Sequence, residues 1–240
     1  MSATGPGFAA EDLSLFARIQ RVFYAPRTAF AAVRGQESAH DWLLPILLVC
    51  AVGVGSYNLT LDLRASAVQE QLGSLDEAEW QQAEALQALQ AYGWMEGPMS
   101  RFFSLVVVGG VLLMLARSAF QAEVSYRQML VVKAYAMLVV AVELTMWTVL
   151  VLATGDIRAH LGLGLFLSEE AAATFGGRIL AALNPFDLWQ IGIMGVGLSV
   201  LADAPVRKAT VSLGLLWLLW IFGGVFIETI GQSVPPPPPE

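Results

Sequence analysis

The feature that most constrains this chain is a series of five long apolar runs. A helix needs about 20 mostly apolar residues to cross the roughly 30 Å hydrocarbon core of a bilayer. The runs that approach or exceed this length lie near Leu43–Leu61, Phe102–Ala119, Met129–Ala153, Phe186–Leu201 and Ala209–Ile230. The fourth run is short unless residues 179–183 extend it. The sequence therefore predicts an all-α, polytopic membrane protein, a bundle of five transmembrane helices.

Composition supports a membrane protein and argues against other classes. Hydrophobic residues make up 56% of the chain and charged residues 14%, whereas a soluble domain carries about 25% charged residues. Cys50 is the only cysteine, which excludes a disulfide-stapled scaffold. The net charge is −7 and no dense basic patch exists, so we expect no nucleic-acid partner.

Lysine and arginine residues are distributed unequally between the segments that flank the runs. The N-terminal segment and the two short loops on its side hold 8 of them, and the two loops on the other side hold 4. Since the side richer in Lys and Arg is cytoplasmic, we predict a cytoplasmic N-terminus and an external C-terminus. The predicted organisation is a cytoplasmic segment over 1–41, a membrane domain over 42–231 and a proline-rich tail over 232–240.

Three segments outside the runs have structure of their own in this interpretation. An external loop over about 62–100 has capping-box spacing at Ser74 and Glu77, followed by helix-forming residues over 78–92, which predicts a helix or a helical hairpin outside the membrane. The segment Leu161–Leu167 is too short to span and favours an interfacial or re-entrant element. The run Pro235–Pro239 favours an extended polyproline helix.

The segment Leu13–Tyr24 is typical of an amphipathic helix, with Arg18 and Arg21 off its apolar face. One hypothesis is a helix in the cytoplasmic interface of the membrane, with both arginines near lipid headgroups. The other is a packing helix that covers the inner ends of the spans. Both need one apolar face, so the sequence leaves the choice open.

Catalytic and metal chemistry have no support in the sequence. His40 and His160 fall on opposite predicted sides of the membrane, so they do not form a metal site. No serine–histidine constellation, phosphate-binding glycine loop or paired-histidine helix motif is present. We therefore expect no cofactor, no metal and no enzymatic activity.

Ionisable residues inside the runs are the best functional candidates, and we group Lys133 and Glu143 as a candidate intramembrane polar site. Lys133 lies about 6 Å into its span, so we expect it to snorkel to the cytoplasmic surface. Glu143 lies about 21 Å past Met129, somewhat beyond the midplane, where a charge costs about 2.5–3.5 kcal/mol.

Three hypotheses fit Glu143. It could bind a proton or cation in a transporter, form a hydrogen bond between helices as structural glue, or face the polar span of a partner. Because Glu143 has no second deep polar partner in the sequence, a hydrogen bond between helices or contact with a partner span is favoured over transport. Two further expectations concern packing: Gly195 and Ser199 have the small-residue spacing of closely approaching helices, and Trp217 and Trp220 should pack between helices.

The step from Asn184 to Pro185 is typical of a helix start. Asparagine is a good N-cap, and proline is tolerated in the first helical turn. Asp187 lies at the beginning of the same span, where its side chain can reach the outer interface. The sequence therefore predicts that these three residues start and aim the fourth span.

The order of several short motifs resembles the Yip domain family, the Ypt/Rab-interacting membrane proteins, in its short prokaryotic form. The motifs are Arg21-Val22-Phe23-Tyr24-Ala25-Pro26, Trp42-Leu43-Leu44-Pro45, Ser125-Tyr126-Arg127-Gln128 with Ala134-Tyr135-Ala136, Leu183-Asn184-Pro185-Phe186-Asp187-Leu188-Trp189, and Arg207-Lys208-Ala209. They extend from about residue 15 to residue 231, nearly the whole chain.

The resemblance implies a five-span helical bundle with a cytoplasmic N-terminus. Eukaryotic members resemble scaffolds for small GTPases and membrane-shaping proteins, but they usually carry a longer cytoplasmic segment than the roughly forty residues here, which argues against GTPase binding. We expect a non-enzymatic scaffold or accessory protein in a bacterial inner membrane. Its partners would be lipids and another membrane protein or a second copy of itself. The alternative is a small transporter or channel that uses Glu143.

Overall fold

The computed structural model describes residues 14–34, 38–72 and 93–233. Within these ranges the chain forms helices and no strand, which confirms the predicted all-α class. The predicted helix over 78–92, its capping residues Ser74 and Glu77, and the proline run 235–239 lie outside the described residues.

Eleven α-helices are described. They are α1 (Leu15–Tyr24), α2 (Pro26–Val33), α3 (His40–Leu59), α4 (Leu61–Leu72), α5 (Gly93–Ala119), α6 (Tyr126–Ala136), α7 (Leu138–Thr154), α8 (Glu169–Ala173), α9 (Phe175–Ala182), α10 (Pro185–Leu201) and α11 (Val206–Ser233). A short 3-10 helix, Leu163–Phe166, falls within the predicted interfacial segment between α7 and α8.

Four helices in the described residues are long and apolar enough to cross a membrane: α3, α5, α11 and the run formed by α6 and α7. Helices α9 and α10 pass the same test together and are bent by 55° at their junction, which gives a fifth span if the pair crosses as one. The structure therefore confirms four to five of the predicted spans. Residues 179–183 extend the fourth span only through a bend, because they belong to α9.

The centre of the bundle is the run of α6 and α7. Every residue from Val131 to Ala141 is buried, because α3, α5 and α10 pack around this run. The run starts at a capping box, in which the Ser125 hydroxyl accepts from the Gln128 N–H and the Gln128 side chain accepts from the Ser125 N–H. This capping box fixes where α6 begins, and therefore how far along the bundle axis the polar side chains of α6 and α7 lie.

Helices α1 and α2 pack against the bundle at the end where α3 begins. Val22, Phe30 and Val33 are fully buried, and the Phe23 ring meets the Trp189 ring edge-on at a centroid distance of 5.8 Å. The N-terminal helix therefore packs against the bundle through one part of its surface, as the packing hypothesis predicts. Phe16 remains 68% exposed, so an apolar side chain is still available to the membrane, and that role stays a prediction.

Helix α10 approaches its neighbours most closely at two glycines. A Cβ atom on Gly195 would lie 2.9 Å from the Cα atom of Thr210 on α11, and one on Gly197 would lie 2.8 Å from the Phe30 ring on α2. The predicted close approach at Gly195 is confirmed. Ser199 has a different task, since its hydroxyl donates to the Ala204 carbonyl beyond the end of α10.

One packing expectation is wrong for contacts within the chain. Trp217 packs partly against the core, but Trp220 is 82% exposed. The reason is that α11 contacts the bundle along one narrow side: only 17% of its membrane-length window is buried, against 44% for the run of α6 and α7.

Candidate functional site

The junction between α9 and α10 is a helix start inside a bent pair that is apolar enough to cross a membrane as one span. The Asn184 side-chain oxygen accepts from the Phe186 N–H at 3.0 Å, and Pro185 is the first residue of α10, as the sequence predicts. The 17 residues of α10 extend about 25 Å, which is shorter than the roughly 30 Å hydrocarbon core. If α9 and α10 cross as one span, the interruption therefore falls inside the thickness of the hydrocarbon core.

Glu143 of α7 meets this interruption. The side-chain nitrogen of Asn184 donates a hydrogen bond to Glu143 Oε1, so one asparagine both caps α10 and holds the carboxylate. The expectation of a deep carboxylate without a polar partner is therefore wrong. Sequence reasoning treated Asn184 only as a cap. The sequence did contain a signal for this contact, namely a short fourth run that begins just after an asparagine and a proline. Where a membrane helix is interrupted, polar groups at the start of the second part are free to bind other side chains.

Lys133 of α6 does not snorkel to the surface. It is 5% exposed, and its ammonium group donates to the Gln190 side-chain oxygen on α10 at 2.5 Å. Packed helices surround α6 at this height, so the long side chain turns toward α10 instead of toward the surface. Gln190 was missed by sequence reasoning because it is neutral, although it follows Asp187 by three residues and so shares its helix face.

Two further charged groups complete the arrangement. Asp187 lies within electrostatic range of Lys133 and of Glu143, and Arg101 of α5 acts on all three. We call the six residues the polar cluster: Arg101, Lys133, Glu143, Asn184, Asp187 and Gln190. Two cations and two carboxylates make it formally neutral, which lowers the cost of placing charges in a low-dielectric interior.

The polar cluster can perform two kinds of task. It joins α5, α6, α7 and α10 through charge and hydrogen bonds, so it can hold the interrupted span in place. It also gathers carboxylates at membrane depth, which is the chemistry of a proton or cation site. Within the described ranges, no group of three or more His, Cys, Asp or Glu residues is arranged to hold a metal ion.

The two arginines of α1 have protein surroundings. The Arg18 guanidinium forms an ion pair with Asp41 at 2.7 Å, and the Asp41 side chain is 2% exposed. Asp41 also accepts from the Ser38 N–H at 3.0 Å, which fixes the start of α3. Arg18 therefore ties α1 to α3. Arg21 is partly buried, and contact of either arginine with lipid headgroups stays a prediction.

Comparison with protein families decides the classification. The family model for the Yip1 domain matches residues 21–227. The chain belongs to the Yip1 domain family. The match spans every motif on which the sequence resemblance rests, and together with the apolar helices it makes this Yip-type chain a multi-pass membrane protein. No curated protein and no solved structure matches it.

Proposed function

We propose that this Yip-type protein is a non-catalytic membrane scaffold or accessory protein that binds a partner membrane protein through α11. The observation that carries the proposal is the exposure of Trp220 in the middle of that helix. Trp220 lies about 21 Å along a helix of about 42 Å, far from the interfacial belts where tryptophan is enriched.

The position of Trp220 is unfavourable for a side chain that faces lipid alone. Trp220 is 82% exposed, and within the described part of the chain its indole N–H has no hydrogen-bond partner. An unpaired polar group in hydrocarbon costs free energy that a partner helix would restore by hydrogen bonding and packing. The exposed indole therefore supports a helix–helix interface.

The surroundings of Trp220 fit a docking helix. Leu219 and Ile227 are 69% and 71% exposed, and a Cβ atom on Gly223 or Gly224 would meet no atom within 4 Å. Small residues allow two helix backbones to approach closely, which drives association where both partner and lipid are apolar. We call this surface the α11 face: Leu216, Leu219, Trp220, Gly223, Gly224 and Ile227.

The test is crosslinking inside the membrane. A photoreactive residue replaces Leu219 on the α11 face, and the matched control replaces Phe103 on α5, which is also strongly exposed at 71%. Mild-detergent purification and quantitative mass spectrometry should recover one membrane protein, or a second copy of this chain, at near-stoichiometric yield from position 219 only. Equal, non-specific yields from both positions would refute the proposal.

A second candidate function rests on the interrupted fourth span. Transporter sites are commonly built where broken helices meet several polar groups near the midplane, and Asn184 places such a break against Glu143. The substitution Glu143→Gln separates the two functions. A transporter should lose proton or ion flux in liposomes while staying folded, whereas a scaffold should keep its partner and show no flux in either form.

We further propose a bacterial inner-membrane location, with the N-terminus in the cytoplasm, on the charge distribution between the loops. Single cysteines at Phe16 and Phe166, in a chain with Cys50→Ala, place a thiol on each end of the bundle, since both side chains are exposed. A membrane-impermeant thiol reagent added outside intact cells should label position 166 and spare position 16. The reverse pattern would invert the topology.

A further inference from the structure

We propose that a cavity between α3, α4, α5 and α7 binds the phosphate-bearing head of an anionic amphiphile, such as an anionic phospholipid. The cavity lies at the end of the bundle opposite α1 and has a volume of about 530 Å³. Cavities of about 300–1,000 Å³ suit small-molecule ligands. The α11 face plays no part in it, so this inference and the proposed function fail separately.

The charge of the cavity is positive. Arg64 and Arg101 both line it, and the lining contains one carboxylate, Glu96. Within the described residues, Arg101 forms no hydrogen bond and no ion pair, although it is partly buried. A guanidinium group presents five donors in a fork that matches phosphate oxygens. The carboxylates of Glu143 and Asp187 act on Arg101 electrostatically without a hydrogen bond, so its donors are open to an anionic ligand.

The second arginine is already held in position. Arg64 Nε donates to the Thr60 hydroxyl at 3.1 Å, which leaves its terminal nitrogens for a ligand. Its guanidinium carbon lies 5.1 Å from the centroid of the Tyr57 ring and 5.5 Å from that of Trp147. Trp147 is fixed in turn, because its indole N–H donates to the Ala159 carbonyl at 2.9 Å. Such preorganisation lowers the entropy cost of binding.

The remaining walls indicate an amphiphile instead of a soluble anion. The lining includes apolar side chains from α3, α4, α5 and α7, namely Val49, Val68, Trp94 and Leu144. Arg101 lies about 12 Å along α5 from its first residue, so its charge lies inside the helix and not at its end. A headgroup phosphate held by the arginines and an adjoining chain against these side chains would satisfy both parts of the cavity.

The experiment is native mass spectrometry of the purified full chain with phosphatidylglycerol, phosphatidylcholine or inorganic phosphate. We expect about one phosphatidylglycerol per chain and no comparable retention of phosphatidylcholine. Arg101→Gln should weaken phosphatidylglycerol binding about tenfold, equivalent to about 1.4 kcal/mol, because a charge-assisted hydrogen bond is lost. Ala67→Trp should abolish binding while keeping both arginines, because residue 67 lines the cavity.

Arg158→Gln is the matched control, because it removes the same charge from an exposed position outside the cavity lining. Equal circular dichroism spectra and elution volumes establish that all variants are folded. Unchanged phosphatidylglycerol binding in Arg101→Gln or Ala67→Trp, or equal loss in Arg158→Gln, would overturn the proposal. Binding of inorganic phosphate that depends on Arg101, without retention of phosphatidylglycerol, would assign the cavity to a soluble anion and overturn the lipid as ligand.

Discussion

The tight crossing of α10 and α11 yields a sharp prediction from two glycines of one helix. Gly192 and Gly195 are one turn apart on α10, and alanine is the better helix former at either position by about 1 kcal/mol. A Cβ atom on Gly192 would meet no atom within 4 Å, whereas one on Gly195 would lie 2.9 Å from both Cα and Cβ of Thr210. The same substitution should therefore have different outcomes at the two sites.

The magnitude follows from the contact distance. Carbon atoms pack at about 3.5–4.0 Å, so Gly195→Ala must separate α10 and α11 by roughly 0.5 Å or more at the crossing. A gap of that size forfeits a quarter or more of each contact along the interface, and overpacking typically costs 1–3 kcal/mol. The helix-propensity gain is common to both variants and cancels. Gly195→Ala should therefore be less stable than Gly192→Ala by about 1–3 kcal/mol.

Unfolding by sodium dodecyl sulfate in mixed micelles measures this difference. Trp189 on α10 and Trp217 on α11 report the separation of the two helices through their fluorescence. Gly192→Ala should unfold at the same or a higher denaturant fraction than the unsubstituted chain, and Gly195→Ala at a lower one. Equal stability of the two variants would refute the argument from close packing.

Three further predictions concern buried polar partners, and each is checked by the same unfolding assay. Gln190→Leu removes the hydrogen-bond acceptor of the Lys133 ammonium and should cost about 1–3 kcal/mol, while adding Lys133→Met should recover most of the loss; additive losses would contradict direct coupling. Arg18→Met should destabilise by about 3–5 kcal/mol because it leaves Asp41 buried without a counter-charge, and Asp41→Leu should rescue it. Glu143→Leu should cost about 1–3 kcal/mol by leaving its amide partner at the start of α10 unpaired, whereas Glu143→Gln should be nearly neutral; equal stability of these two would show that this hydrogen bond contributes nothing.

Much of the fold is predictable because crossing a bilayer demands length and apolarity along the chain. The predicted run Leu43–Leu61 corresponds to α3, and Ala209–Ile230 falls within α11. The start of α10 at Pro185 was equally predictable from the sequence, because a cap and a first-turn proline are local signals. Local chemistry of this kind does not depend on what lies beside the helix.

Only part of the polar cluster was predictable from the sequence. Glu143 and Lys133 stand out as ionisable residues in apolar runs, and the rise of about 1.5 Å per residue gives their depths. Their partners do not stand out, since Gln190 is neutral and Arg101 precedes its apolar run. The snorkelling expectation for Lys133 was wrong because it assumed an open path beside the helix, which the neighbouring helices occupy.

The sequence by itself determined the class of the protein, its family, the approximate spans and the height of each side chain along them. Only the tertiary structure decided which way each side chain faces: Lys133 toward α10, Asn184 toward Glu143, and Trp220 away from the bundle. The physical reason is that lipid and protein interior are both apolar. A membrane helix is therefore hydrophobic all round, and its sequence records depth without recording which side meets protein and which meets lipid.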